Sequence, residues 1–208
     1  MSQFPNVLVL SAGGYGHVPI PLLKQPEKLQ TNLDQNREYL MSFVGSLKNA
    51  PGRMRRKLNE ELAKHLGDKY KYYHGDDWRD VMKMSRVSLA PRGYGRSSFH
   101  LMEILQSGLI PIHIYLDEPW VPYRVVFEKL GYHTKAQDLG KLVLALQSMK
   151  PEEFSAQEKL IASYRESHFT AEGVLNHIEQ FLVGMKTDLE CVKLPEDKYF
   201  VSDGITEM

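Results

Sequence analysis

One cysteine in 208 residues, Cys191, leaves this chain without an internal disulfide, and no Cys or His pair stands at zinc-site spacing. That usage fits a reducing compartment. An excess of either charge is also missing: Lys plus Arg and Asp plus Glu each total 26, so the formal net charge is zero. Coating nucleic acid requires a basic surplus. No nucleic-acid partner is therefore expected, and any anion site has to be a local concentration of arginine. No apolar run approaches the ~20 residues that span a bilayer. Residues 1–10 lack the basic start and long apolar core of a signal peptide. The expectation is a soluble chain with no membrane span, cytoplasmic or a soluble fragment. Internal repeats are absent, and so is a G-x-x-x-x-G-K-[ST] phosphate loop, which disfavours a kinase.

What is present centres on residues 88–114, SLAPRGYGRSSFHLMEILQSGLIPIHI. A β-prone run at residues 86–90 leads into Pro91-Arg92-Gly93-Tyr94-Gly95-Arg96. Ser97 or Ser98 then reads as the N-cap of a helix whose apolar positions Leu101, Ile104 and Leu105 recur at i, i+3, i+4. Gly108 ends that helix, and residues 109–114 read as a buried parallel strand. Strand, glycine loop, helix start, strand is an arrangement that holds phosphates. Glycines let backbone N–H groups approach an anion, the helix dipole favours negative charge, and arginine adds charge-assisted hydrogen bonds.

Along the rest of the chain, residues 6–10 read as a strand followed by the glycine loop Ser11-Ala12-Gly13-Gly14-Tyr15-Gly16-His17. Residues 24–37 are polar and irregular. Residues 39–45 form a second strand ending at Gly45-Ser46, and residues 69–73 a third. A basic helix spans 53–66. Its first turn carries Arg53, Arg55, Arg56 and Lys57, the wrong sign for the helix dipole, which fits a functional site or a solvated face. Asp76 or Asp77 caps a short helix at 77–85. Helices follow at 124–130, 136–149, 151–167 with proline in the first turn, and 170–183 capped by Thr170. Residues 187–208 lack periodicity and read as a poorly ordered tail. Alternating strands and helices predict an α/β fold, a Rossmann-like doubly wound, largely parallel sheet. Ligands in such sheets sit beyond the strand C-termini, which gathers Gly45-Ser46, Gly75 and residues 92–98 on one rim.

The ordered combination F-V-G-S, a basic helix start, L-A-P-R-G-Y-G-R-S-S-F-H-L-M-E-I-L, G-L-I-P-I and D-E-P-W-V-P-Y resembles the C-terminal half of the exostosin-like glycosyltransferases. It covers residues 39–123. The resemblance implies a GT-B-type donor-binding domain with a helical C-terminal tail, and an inverting, metal-independent enzyme. The donor would be a UDP-sugar, the acceptor a glycan or glycoprotein, and neither cofactor nor metal is expected. On this reading residues 1–37 are a remnant of the N-terminal acceptor domain and linker, 38–186 the nucleotide-sugar-binding domain, and 187–208 the tail. A homo- or hetero-oligomer would complete the cleft, and the Golgi lumen becomes a second expected location.

The resemblance also implies roles. Gly45 and Ser46 let the phosphates approach, Arg55 pairs with the diphosphate, and Arg92 lies beside the nucleotide. Ser97 and Ser98 offer hydroxyl and N–H groups at the helix start, and Glu103 accepts the ribose hydroxyls. Asp117 and residues 120–123 line the same cleft. His100 stands where the family commonly has arginine, so diphosphate binding shifts toward Arg55, Arg92, Arg96 and the Gly95 turn. His17 is the candidate catalytic base, against a turn histidine held by a hydrogen bond. His74 and His113 read as structural. Two other classes stay open: a non-catalytic nucleotide-sugar or glycan-binding module that partners a catalytic chain, and an unrelated α/β phosphosugar enzyme.

Overall fold

The computed structural model describes residues 6–30 and 37–192. The expected features at residues 31–36 and 193–208 lie outside these. Among the described residues seven strands and seven α-helices follow one another: β1 (Leu10–Ser11), β2 (Val18–Pro19), β3 (Tyr39–Val44), α1 (Met54–Leu66), β4 (Tyr70–Tyr73), α2 (Trp78–Lys83), β5 (Ser85–Pro91), α3 (Phe99–Gln106), β6 (Ile110–Tyr115), α4 (Arg124–Leu130), β7 (Tyr132–Lys135), α5 (Leu139–Ser148), α6 (Pro151–His168) and α7 (Ala171–Leu182). Five strands form one parallel sheet in the order β4-β3-β5-β6-β7, and β1 and β2 make a separate parallel pair.

The order has a direct consequence. The chain leaves β3 for β4 on one side, then crosses back to β5 on the other. Loops leaving the C-terminal ends of β3 and β5 therefore diverge and open a crevice, the place where such sheets hold ligands. Strands β5 and β6 are almost entirely buried, which is why they read as continuous apolar runs. Pro111 is tolerated in β6 because the β7 ladder begins only at Ile112, opposite Tyr132.

Some expectations change. The first strand shrinks from residues 6–10 to Leu10–Ser11, and Val7 and Leu8 are exposed, with no apolar surface to cover them. β7 falls where only helices were expected. It is a four-residue edge strand without an apolar alternation to announce it. In α1 the buried face is Met54, Arg55, Leu58, Leu62 and Leu66, so Arg55 alone of the basic cluster turns inward, while Arg53, Arg56 and Lys57 are solvated. Asp77 occupies the cap position of α2 without a side-chain cap bond, whereas Ser98 and Thr170 cap α3 and α7 as expected.

Residues 187–192 are packed: Leu189 is buried and the Val192 N–H donates to His17 O at 2.8 Å. The irregular segment before β3 is held too. Gln106 accepts from the Glu27 N–H and donates to Phe169 O, and Arg165 donates to the carbonyls of both Gln106 and Glu27. Gln106→Ala would leave two backbone groups unpaired, a cost of about 1–3 kcal/mol for each that stays dry. Denaturant melts should show the midpoint falling with an unchanged slope.

Candidate active site

A cleft of about 890 Å³ opens beyond the C-terminal ends of β3, β4 and β5. Gly45 and Ser46 line it from β3, Gly95, Ser97 and Ser98 from the loop after β5, and His100 and Glu103 from α3. Arg55 reaches it from α1. Eight of the expected site residues thus share one cavity. Arg92, Arg96, Asp117 and His17 do not line it.

The two loop arginines are used internally. Asp117, just past β6, accepts from Arg92 Nη1 through Oδ1 and from Arg96 Nε through Oδ2, both at 2.8 Å. Both guanidinium groups are buried. Arg92 also donates to the carbonyls of Gly95 and Tyr94, and Arg96 to Gly14 O. Burial would raise the Asp117 carboxyl, but the Arg96 hydrogen bond, the Glu118 N–H and the charges of both arginines hold it below the usual carboxylate range. Arg92 and Arg96, expected at the diphosphate, and Asp117, expected in the cleft, here bond one another. They form a buried knot behind the loop. Trp120, fully buried, donates from Nε1 to Ser11 O, so the segment expected to line the cleft braces the glycine loops instead.

The glycines are explained by the same packing. The Arg96 N–H donates to Gly13 O at 3.1 Å. A Cβ on Gly95 would lie 2.2 Å from that carbonyl, and one on Gly14, whose φ is +106°, would lie 2.5 Å from Arg96 N. The two loops press backbone against backbone, which only glycine permits. Phosphate approach is not what demands these two positions.

Arg55 is different. Its Nε donates to Arg92 O, Nη1 to Ser46 O and Nη2 to Pro91 O, between 2.9 and 3.1 Å, joining the loops after β3 and β5. Among the described residues no carboxylate lies within ion-pair distance of it. Burial lowers its pKa, yet guanidinium stays protonated. A positive charge without a counter-charge therefore sits in the cleft wall.

At the start of α3, Ser98 Oγ accepts from the His100 N–H. His100 bridges Ser88 Oγ at 3.4 Å and Glu103 Oε2 at 3.0 Å, and its ring meets Trp78 edge-on. Lys24 Nζ stands 3.7 Å from Glu103 Oε1. Burial pushes the Glu103 carboxyl up, but the His100 hydrogen bond and the charges of His100, Lys24 and Arg79 hold it below its ordinary value. Glu103 is thus an ionised, acceptor-only group, its side chain 13% exposed, in a largely enclosed wall.

His17 sits in a turn: its Nδ1 accepts from the Val9 N–H at 2.9 Å, its N–H donates to Val9 O, and its carbonyl accepts from the Val192 N–H. His113 is fully buried against Ala90 O, its pKa pushed down by burial to about 4, so it is a neutral structural group. His74 instead lines the rim with Gly75 and Asp76. Trp78 and Lys24 are cleft residues that the sequence reading did not select. Trp78 had a signal, an aromatic just after the turn that follows β4, and carries the Arg79 guanidinium 4.1 Å from its ring centroid. Lys24 had none, lying in a stretch without periodicity.

Removing Asp117 takes the carboxylate away from two buried guanidinium groups. Asp117→Ala should cost about 3–5 kcal/mol. Because the carboxyl pKa is depressed, its stabilisation is present above the unfolded value of about 3.9 and is lost as pH falls through the lower folded value. Thermal melts between neutral and acid pH should lose that component in Asp117→Asn. Gly95→Ala should destabilise by about 1–3 kcal/mol, since backbone rather than a flexible side chain has to move.

The sequence matches no family model and no curated protein. Solved structures match the fold. The crystal structure of TarM aligns with a TM-score of 0.50 at 7% identity, over 79% of this chain and 38% of that one. The crystal structure of the GtfA/B complex aligns at 0.42 and 12% identity, over 81% of this chain and 39% of that one. The chain thus spans less than two-fifths of either protein it matches. At such identities the likeness carries architecture: a parallel five-stranded sheet flanked by helices, an α/β fold of the GT-B type.

Proposed function

We propose that this chain holds the donor in an inverting, metal-independent, exostosin-like glycosyltransferase, and that the donor is a UDP-sugar. The observation that carries this is the pairing, within one switch-point cleft, of an uncompensated Arg55 guanidinium with an ionised Glu103 carboxylate. A nucleoside diphosphate presents the complementary groups: anionic phosphates for the cation, and adjacent ribose hydroxyls that donate to the carboxylate. Ser97, Ser98 and the α3 dipole add donors on the phosphate side. The GT-B fold supports glycosyl transfer as the reaction class. On this reading the acceptor hydroxyl of a glycan attacks the anomeric carbon in line and gives up its proton to solvent, the C–O bond to the diphosphate breaks, and Arg55 with the helix start neutralises the departing charge in place of a divalent cation.

The observation about His17 favours a second reading. With its Nδ1 occupied outside the cleft, the groups assigned in the cavity bind rather than accept a proton, which suits a non-catalytic nucleotide-sugar module partnering a catalytic chain.

Calorimetry with UDP and uridine tests the binding claim. Glu103→Ala should weaken both by about 1–3 kcal/mol. Arg55→Gln should weaken UDP by about 1.5–3 kcal/mol and leave uridine nearly unchanged, the range for hydrogen bonds to charged groups. Equal losses for the two ligands would remove the diphosphate contact, and unchanged affinity in Glu103→Ala would remove the ribose contact. UDP release with and without acceptor glycan separates a transferase from a binding module.

A further inference from the structure

The end of α6, the middle of α7 and the segment after it gather side chains that the cleft does not use. One donor atom each from His168, His177 and Asp188 lies within 4.8 Å of the other two. The imidazole centroids are 4.5 Å apart, and His168 Nε2 is 2.9 Å from Asp188 Oδ2. The other ring nitrogens are engaged by hydroxyls: His168 Nδ1 lies 2.8 Å from Ser167 Oγ, and His177 Nδ1 lies 2.8 Å from Thr187 Oγ1. A hydroxyl accepting from Nδ1–H orients the ring and leaves the Nε2 lone pair as a donor, the outer-shell arrangement that supports metal-bound histidine.

A second, independent observation comes from Tyr123. Its ring packs 4.8 Å from His168 and 4.9 Å from His177, and it is 2% exposed. Its hydroxyl has no hydrogen-bond partner among the described residues. A buried hydroxyl left unpaired beside two imidazoles and a carboxylate indicates a missing polar occupant.

We propose that His168, His177 and Asp188 bind a divalent transition-metal ion, zinc in particular, with the Tyr123 hydroxyl donating to a water in the remaining position. Two imidazoles and one carboxylate suit zinc, whereas magnesium and calcium prefer all-oxygen sets. The ion fastens the segment carrying Asp188 to the α6–α7 pair. Since Val192 in that segment bonds His17 O, it also secures the β1–β2 loop region. None of the four residues lines the nucleotide cleft, so the site is separate from the proposed reaction.

The full chain, stripped with a chelator and dialysed, is titrated with zinc chloride alone by calorimetry, with melting temperature as a second readout. The expected result is one equivalent bound with a raised melting temperature, no effect of magnesium, and affinity lower by at least about tenfold in both Asp188→Asn and His177→Ala. Asp188 is half-exposed, so its variant keeps the fold and decides the matter if the histidine variant does not. No zinc binding by the wild type, or wild-type affinity in Asp188→Asn, overturns the proposal and leaves His168 and Asp188 as a plain hydrogen-bonded pair.

Discussion

Asp117 between two buried guanidiniums is the contact on which the site depends. One carboxylate compensates Arg92 and Arg96 together, and those arginines in turn hold the carbonyls of Gly95, Tyr94 and Gly14. That pairing offsets much of the cost of burying both charges, because an unpaired ion inside protein is far costlier than a paired one. With the knot in place, the loop after β5 has a fixed path. The glycine loop before β2 is locked to it, and α3 starts where the cleft needs donors. The knot is architecture that a reader of the sequence would take for chemistry.

This division of labour among arginines defines the cavity. Arg92 and Arg96 have their charge met within the fold, whereas Arg55 has hydrogen bonds but no counter-charge among the described residues. Glu103 shows the complementary arrangement: a carboxylate kept ionised in a mostly enclosed wall by His100 and Lys24. The place where arginine is common in the resembling family is occupied by a histidine that positions this carboxylate. The cleft wall thus carries a guanidinium and an ionised carboxylate, separated along α3 and its loop.

Much of this was legible in the sequence, and the limits have physical causes. The central strands declared themselves because burial on both faces forces continuous apolar runs, and α3, α6 and α7 because caps and proline mark their starts. β7 was hidden because an edge strand four residues long needs no apolar pattern. The cleft residues of α3, His100 and Glu103, were singled out by the resemblance, while Ser97 and Ser98 followed from position after a glycine loop. The fate of Arg92 and Arg96 did not, since a loop arginine reads the same whether it meets a phosphate or an aspartate twenty-odd residues away. The glycines misled for a related reason. Close backbone approach demands glycine whether the neighbour is an anion or, as at Gly13 O, another loop. The His168–His177–Asp188 group spans two helices and a segment without periodicity, so no spacing rule exposes it.

A crystal structure of the chain soaked with UDP tests the central claim most directly. The account predicts the diphosphate against Arg55 and the start of α3, the ribose hydroxyls on Glu103, and the bonds from Asp117 to Arg92 and Arg96 unbroken. A nucleotide bound elsewhere, or phosphates that pull Arg92 or Arg96 away from Asp117 to reach them, would contradict it.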